Sequence, residues 1–191
     1  MKKTWIIVVV ILWVLLLWVG SKYNTLVKLE ESTKTAWSQV ENVYQRRMDL
    51  IPNLVNTVKG AAAQESGVLV AVVNARASAT KTNININNAE DMAAFQQQQG
   101  AVTSALSKLL AVVENYPTLQ SIATYKDLMT QLEGTENRIS VERMNFNNTA
   151  KEFNIAVRRF PTNIIANILG FAQTNLFEAQ EGADKAPEVK F

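Results

Sequence analysis

The 191-residue chain contains no cysteine and no histidine. Thiolate nucleophiles, disulfides, imidazole general bases and the usual zinc sites are therefore excluded. Charge is scarce too, and what there is divides unevenly. Residues 1–22 carry Lys2, Lys3 and Lys22 and no acid, while the remaining 169 residues carry 16 bases against 17 acids. A body so close to neutral lacks the basic stripe that phosphate binding needs, which argues against a nucleic-acid partner. Hairpin dipeptides and alternating strand patterns are missing from the body as well, leaving helices as its only regular structure.

What is present begins with an apolar run. Trp5 to Val19 is apolar without interruption, and Thr4, Gly20 and Ser21 extend the uncharged stretch to eighteen residues between Lys3 and Lys22. As a helix it spans about 27 Å, close to a hydrocarbon core of about 30 Å. Lys3 and Lys22 reach the headgroups from its ends, Trp5 and Trp18 sit at belt positions, and Trp13 lies in the middle. A cleaved export signal also starts this way, but Trp18 stands where a small residue is needed and no Ala-x-Ala follows. We therefore expect a retained single span over about 4–21. The lysine balance slightly favours the N-terminus in the cytoplasm and the body outside.

Beyond the span, Leu26, Leu29, Trp37, Val40, Tyr44, Met48, Ile51, Val55 and Val58 recur every three or four residues, with Thr33 filling a gap. This predicts an amphipathic helix of about 35 residues that carries Pro52 as a kink rather than a stop. A second helix is predicted over about 64–79, with Val68, Val72 and Ala75 on one face and Leu69, Val70 and Val73 broadening it. Thr80 to Asn88 reads as a loop. Met92, Phe95, Gln99, Val102, Leu106, Leu109 and Val113 define a third helix that ends before Tyr116-Pro117. A fourth starts near Leu119 and runs Tyr125, Leu128, Leu132, Ile139, Phe146, Ala150, Phe153, Val157 and Phe160, with Glu136 and Arg143 on the same stripe. The fold class is all-α: a transmembrane helix followed by an antiparallel four-helix bundle with long helices. Its divisions are an anchor over 1–22, the bundle over 23–177 and a polar tail over 178–191, whose end Val189 and Phe191 could pin.

Several segments are familiar. The block from Trp37-Ser38-Gln39-Val40-Glu41-Asn42-Val43-Tyr44 through Pro52-Asn53-Leu54-Val55 resembles the signature of the LemA family of bacterial membrane proteins. So do Tyr116-Pro117, Leu132-Glu133-Gly134-Thr135-Glu136-Asn137-Arg138-Ile139, Phe160-Pro161-Thr162-Asn163 and Gly170-Phe171. The resemblance covers nearly the whole chain, from Tyr23-Asn24 to the Pro187-Glu188-Val189-Lys190-Phe191 end. It implies a single N-terminal membrane helix, an antiparallel helical bundle, and no established enzymatic activity or cofactor. One departure is Phe146-Asn147, where the family usually has Tyr-Asn.

Candidate sites follow from polar residues at interior places. Glu133, Glu136, Asn137, Arg138 and Arg143 are placed to meet Gln45, Arg46, Arg47 and Asp49. Of these we expect Arg46, Arg47, Asp49, Glu133, Glu136, Arg138 and Arg143 to fix helix register, since a buried charge is costly unless paired. Carboxylates without histidine or cysteine make a poor metal site, and Ser107-Lys108 project about 100° apart, which rules against a serine–lysine nucleophile. No cofactor, metal or catalytic residue is expected.

The uncharged segment 161–177 either packs on the bundle or offers an apolar surface. Ile164, Ile165, Ile168, Leu169, Phe171 and Phe177 are its candidate interface residues. Lacking Lys and Arg, the segment favours protein over lipid contact. A second charge-poor stretch runs from Met92 to Ser107. The expected activity is non-enzymatic self-assembly or scaffolding in the cell envelope, with lipid around the anchor, a homo-oligomeric partner and room for another membrane protein. The alternative is an adaptor presenting a partner or peptide to a neighbouring membrane enzyme such as a protease.

Overall fold

The computed structural model describes residues 2–60, 65–80 and 84–178. They form α1 (Lys2–Lys59), α2 (Ser66–Ala79), α3 (Ala89–Val113), α4 (Pro117–Gln120), α5 (Ala123–Arg158) and α6 (Thr162–Leu169). An extended stretch, 171–178, follows α6. The elements are all helical, and no strand occurs among the described residues.

The apolar span and the first amphipathic helix are one element. α1 is 58 residues long, about 87 Å of continuous helix. Its first part is exposed along its length and is long and apolar enough to cross a membrane. From Leu26 onward one stripe turns inward. Thr33, Trp37, Val40, Tyr44, Arg47, Ile51, Leu54 and Val58 are buried in strict three–four alternation. This differs from the predicted stripe at two places: Arg47 and Leu54 occupy the seam. Met48 is buried beside it, and Val55 packs at its margin.

Pro52 does not stop α1, and its cost is met from outside. A proline has no N–H for the carbonyl four residues earlier, which here belongs to buried Met48. Arg76 of α2 supplies the missing donor: its Nε donates to the Met48 carbonyl at 2.8 Å. On α2 itself, Leu69 and Val72 are buried, whereas Val70 and Val73 are exposed. The broadened face predicted for this helix is therefore narrower, because residues 70 and 73 turn away from the α1–α3 side.

The loop before α3 ends in a good cap. Asn88 Oδ1 accepts from the Glu90 and Asp91 backbone amides at 2.8 and 3.4 Å, and those two acids sit favourably in the first turn. All seven predicted α3 seam residues are buried, Gln99 included. The predicted fourth helix is divided: α4 is a single turn with Pro117 at its start, and α5 begins at Ala123. Phe160 lies beyond the end of α5 and is 76% exposed, so it leaves the stripe on which it was placed.

The core forms three layers. Ile51, Leu54 and Val58 meet Val72, Leu106, Leu109 and Leu128 in a layer far from the span. Trp37, Val40 and Tyr44 meet Phe95, Ile139, Phe146 and Phe177 in the middle. Leu26, Phe153, Val157 and Ala166 form the layer next to the span. α5 therefore runs opposite to α1, and α3 runs with it.

Candidate functional site: a polar joint under a backbone strap

Arg47 is the largest fully buried side chain. It stands at the boundary between the middle and far layers and links three helices. Nη1 donates to Thr103 Oγ1 of α3 at 3.0 Å and to Glu136 Oε1 of α5 at 2.9 Å. Nη2 donates to the Gln99 side-chain oxygen and, at 3.4 Å, to the Gln99 carbonyl. Its guanidinium lies 5.0 Å from the Tyr44 ring centroid, a favourable cation–π distance. The Arg47 side chain is 2% exposed and that of Glu136 40%. The pair thus joins a fully desolvated cation to a carboxylate that water still reaches.

A cavity of about 170 Å³ opens beside this joint, between Gln96, Ser140 and Arg143. Burial pushes the Tyr44 phenol above its ordinary range, opposed by the nearby Arg143 and Arg47 guanidinium charges. Among the described residues, Glu136 is the only carboxylate lining the cavity. Among the described residues there is no cluster of three His, Cys, Asp or Glu side chains able to hold a metal.

Of the seven charged residues expected at the joint, the structure brings Arg47 and Glu136 together. Arg46, Asp49, Glu133 and Arg138 are exposed, with Asp49 Oδ1 accepting from Gln45 Nε2 on its own helix at 2.8 Å. One residue off the seam turns a side chain by about 100°, which separates Arg46 from Arg47. Thr135 takes the interior place on α5, and Glu136 and Arg143 sit on the rim. The alternation through Val40, Tyr44, Arg47 and Ile51 singles out Arg47. Its fixed partner Gln99 lies on the α3 seam.

A second polar arrangement has no forerunner in the sequence reading. The stretch 171–178 is a strap laid back along α5 and held by two asparagine amides. Asn154 Nδ2 donates to the Thr174 carbonyl at 2.8 Å while its Oδ1 accepts from the Thr174 amide at 2.8 Å. One heptad earlier, Asn147 pairs the same way with Phe177, at 3.0 and 2.9 Å. Across the groove, the Asn175 amide donates to the Ile86 carbonyl at 3.0 Å, and Thr174 Oγ1 donates to Asn87 Oδ1 at 3.1 Å.

The strap inserts Phe177 into an aromatic layer. Trp37 meets Phe95, Phe146 and Phe177 at centroid distances of 5.3, 5.2 and 5.8 Å. Arg143 closes the outer face, with its guanidinium 4.6 Å from the Phe177 centroid and Nη2 donating to the Glu178 carbonyl at 3.2 Å. Phe146 is completely buried here, so the hydroxyl it lacks relative to the family's usual tyrosine leaves no polar atom to satisfy.

The six apolar residues expected to form one interface are separated. Ile165 and Phe177 are buried in the fold, Phe171 is half-buried against Tyr23 and Phe153, and Ile164, Ile168 and Leu169 are exposed. A short helix docked on a bundle can bury only one side, and Phe177 belongs to the strap. Trp5, Trp13, Trp18 and Lys3 are exposed on α1, and Lys22 is half-buried where the bundle begins. Val189 and Phe191 lie outside the described residues.

These features define a class: an all-helical protein whose first helix pairs an apolar, membrane-length segment with the principal core helix. The chain matches the LemA family over residues 36–191 and belongs to it. It is similar to magnetosome protein MamQ 2 of Paramagnetospirillum magneticum, with 30% identity over 182 residues spanning 85% of this chain and 67% of the relative. MamQ of Magnetospirillum gryphiswaldense gives the same identity and coverage. Protein LemA of Metamycoplasma hominis is 23% identical over 164 residues, spanning 86% of this chain and 72% of that protein.

Proposed function

We propose that this is a membrane-anchored, non-enzymatic protein that acts by self-assembly or scaffolding in the bacterial cell envelope. α1, α2, α3 and α5 constitute its antiparallel four-helix bundle, held outside the cytoplasm by a single span of the inner membrane. The observation that carries this reading is the continuity of α1. A helix that leaves the membrane and becomes the main core helix without a linker fixes the bundle's position relative to the bilayer. A tethered, flexible domain would need a hinge there.

The ionic groups at the joint favour the same reading. Glu136 is bound to Arg47, which also holds Gln99 and Thr103, and such contacts set the register of α1, α3 and α5. Assembly then uses an exposed, uncharged side of the bundle. Ala93, Gln97, Ala101 and Ser104, on one face of α3, supply one. Confinement to a membrane raises local concentration, so that weak contacts on such a face become effective.

Co-purification from membranes of two differently tagged full-length copies tests this. Recovery of both tags in one complex is expected. A concentration-independent monomer in mild detergent overturns self-assembly, and one stoichiometric foreign partner in place of the second copy favours the adaptor.

A further inference from the structure

α5 descends toward the span and ends at Arg158, and the chain reverses through α6 before the strap climbs back along α5. Gly170, in the left-handed region at φ 77°, makes the exit from α6 possible. α6 thus forms a U-turn at the end of the bundle nearest the membrane. Its height can be set against α1. Ala166 shares a core layer with Leu26, and Phe171 packs on Tyr23 at 6.0 Å. Leu26 lies four residues past Lys22, about 6 Å along the helix. The headgroup layer on each side of a bilayer is about 5–7 Å thick. α6 therefore stands at headgroup height when the span is in place.

Apart from Asn167, the side chains exposed on α6 are apolar. Phe160, Ile164 and Ile168 are 76%, 52% and 77% exposed and recur every four residues, and Leu169 is exposed beside them. The segment 161–177 contains no base, which by itself argues against lipid contact. The fold supplies the missing charge from neighbours. Arg159 lines a groove with Lys22, Leu26, Leu29 and Thr162, Glu152 being its one acid, and Arg158 lies exposed next to it.

We infer that α6 is an interfacial foot. Phe160, Ile164, Ile168 and Leu169 enter the headgroup and upper acyl region of the membrane that α1 crosses, and Lys22, Arg158 and Arg159 contact anionic headgroups. Short amphipathic elements of this kind bury their apolar side about 5–10 Å into the interface. Lipid is the occupant because the patch adjoins the exposed apolar span and lies at its exit level, with basic groups around it. The foot prevents α1 from pivoting at the membrane surface and so fixes the tilt of the bundle. This rests on the proposed membrane insertion of α1.

Because the native chain has no cysteine, a single introduced one is a unique label. Full-length protein carrying an environment-sensitive fluorophore at Ile168→Cys is placed in phosphatidylcholine vesicles, with and without phosphatidylglycerol. Leu12→Cys serves as the span reference and Val70→Cys as the distant one. The label at position 168 is expected to shift to the blue and to be quenched by shallow spin-labelled lipid, that at position 12 by lipid spin-labelled deep in the acyl chain, and that at 70 by neither. Arg158→Gln with Arg159→Gln lowers that contact in anionic vesicles by about fivefold per charge.

Quenching at 12 without quenching at 168 overturns the foot and leaves the anchor standing. A blue shift at 168 that lipid does not quench, and that grows with protein-to-lipid ratio, assigns the patch to a second copy and also overturns it. No quenching at 12 removes the anchor and the foot together.

Discussion

The far and middle layers of the bundle are built on the same helices but by different means. Around Ile51, Leu106 and Leu109 the far layer is aliphatic, with its contacts made helix to helix. Around Trp37 the middle layer is aromatic, and part of it is Phe177, delivered by a strap without regular structure. Aliphatic side chains fill space with little demand on angle, so the far layer tolerates shape changes that preserve volume. The middle layer depends on ring geometry and on amides that hold an otherwise unpaired backbone. One layer is specified by periodicity, the other by particular partners. Arg47 stands where they meet.

The largest contrast comes from truncating one residue in each layer. Phe177→Ala is expected to cost about 3–5 kcal/mol and Ile51→Ala about 2–5 kcal/mol, so that the contrast lies in what each opens. Chemical denaturation measures both. Hydrogen exchange should show the Thr174 and Asn175 amides opening in the first variant alone. If they stay protected, the asparagine amides hold the strap without its aromatic anchor, and the layers differ less than argued.

The boundary between the layers is sharpened by the charged joint. Glu136→Ala is expected to destabilise by about 1–3 kcal/mol, because Arg47 is left buried without its counter-charge. Arg47→Met together with Gln99→Leu removes the cation and its buried amide partner at once. That change is expected to be neutral or stabilising by up to about 2 kcal/mol. Thermal melts of the three proteins give the order. Loss of assembly with unchanged melting in Glu136→Ala contradicts a structural role for the joint.

The smallest effect concerns the join of α2 to α1. Arg76→Ala removes the donor to the Met48 carbonyl and is expected to cost about 1–2 kcal/mol. In a Pro52→Ala background, residue 52 regains an N–H and bonds that carbonyl itself, so most of this cost disappears. A double-mutant cycle should give a coupling of about 1 kcal/mol. Zero coupling means water serves the carbonyl just as well.

Much of the fold was legible because helices announce themselves by period. The α3 seam was read correctly in every residue, and the α5 stripe was located to within a turn. Arg47 was placed among the register residues, and strict alternation through Val40 and Tyr44 narrows the choice to it alone. The reading failed where contacts lie between segments remote in the chain and follow no period. Nothing local marks Asn147 and Asn154 as partners of a strap about 20 to 30 residues later, or Arg76 as the answer to Pro52. The fusion of span and bundle helix was missed because the change from all-round to one-sided hydrophobicity looks like a boundary, although nothing between Val19 and Leu26 stops a helix.

The sequence by itself determined that the chain is helical and LemA-like, has a membrane-length apolar start, and lacks the side chains of most catalytic chemistry. Composition and periodicity are local properties and survive without a fold. Only the tertiary structure decided which charges are buried, where the strap lies, and that the uncharged turn at α6 sits near basic residues beside the end of the apolar segment. Those facts depend on distance in space, and packing brings together groups that the order of residues keeps apart.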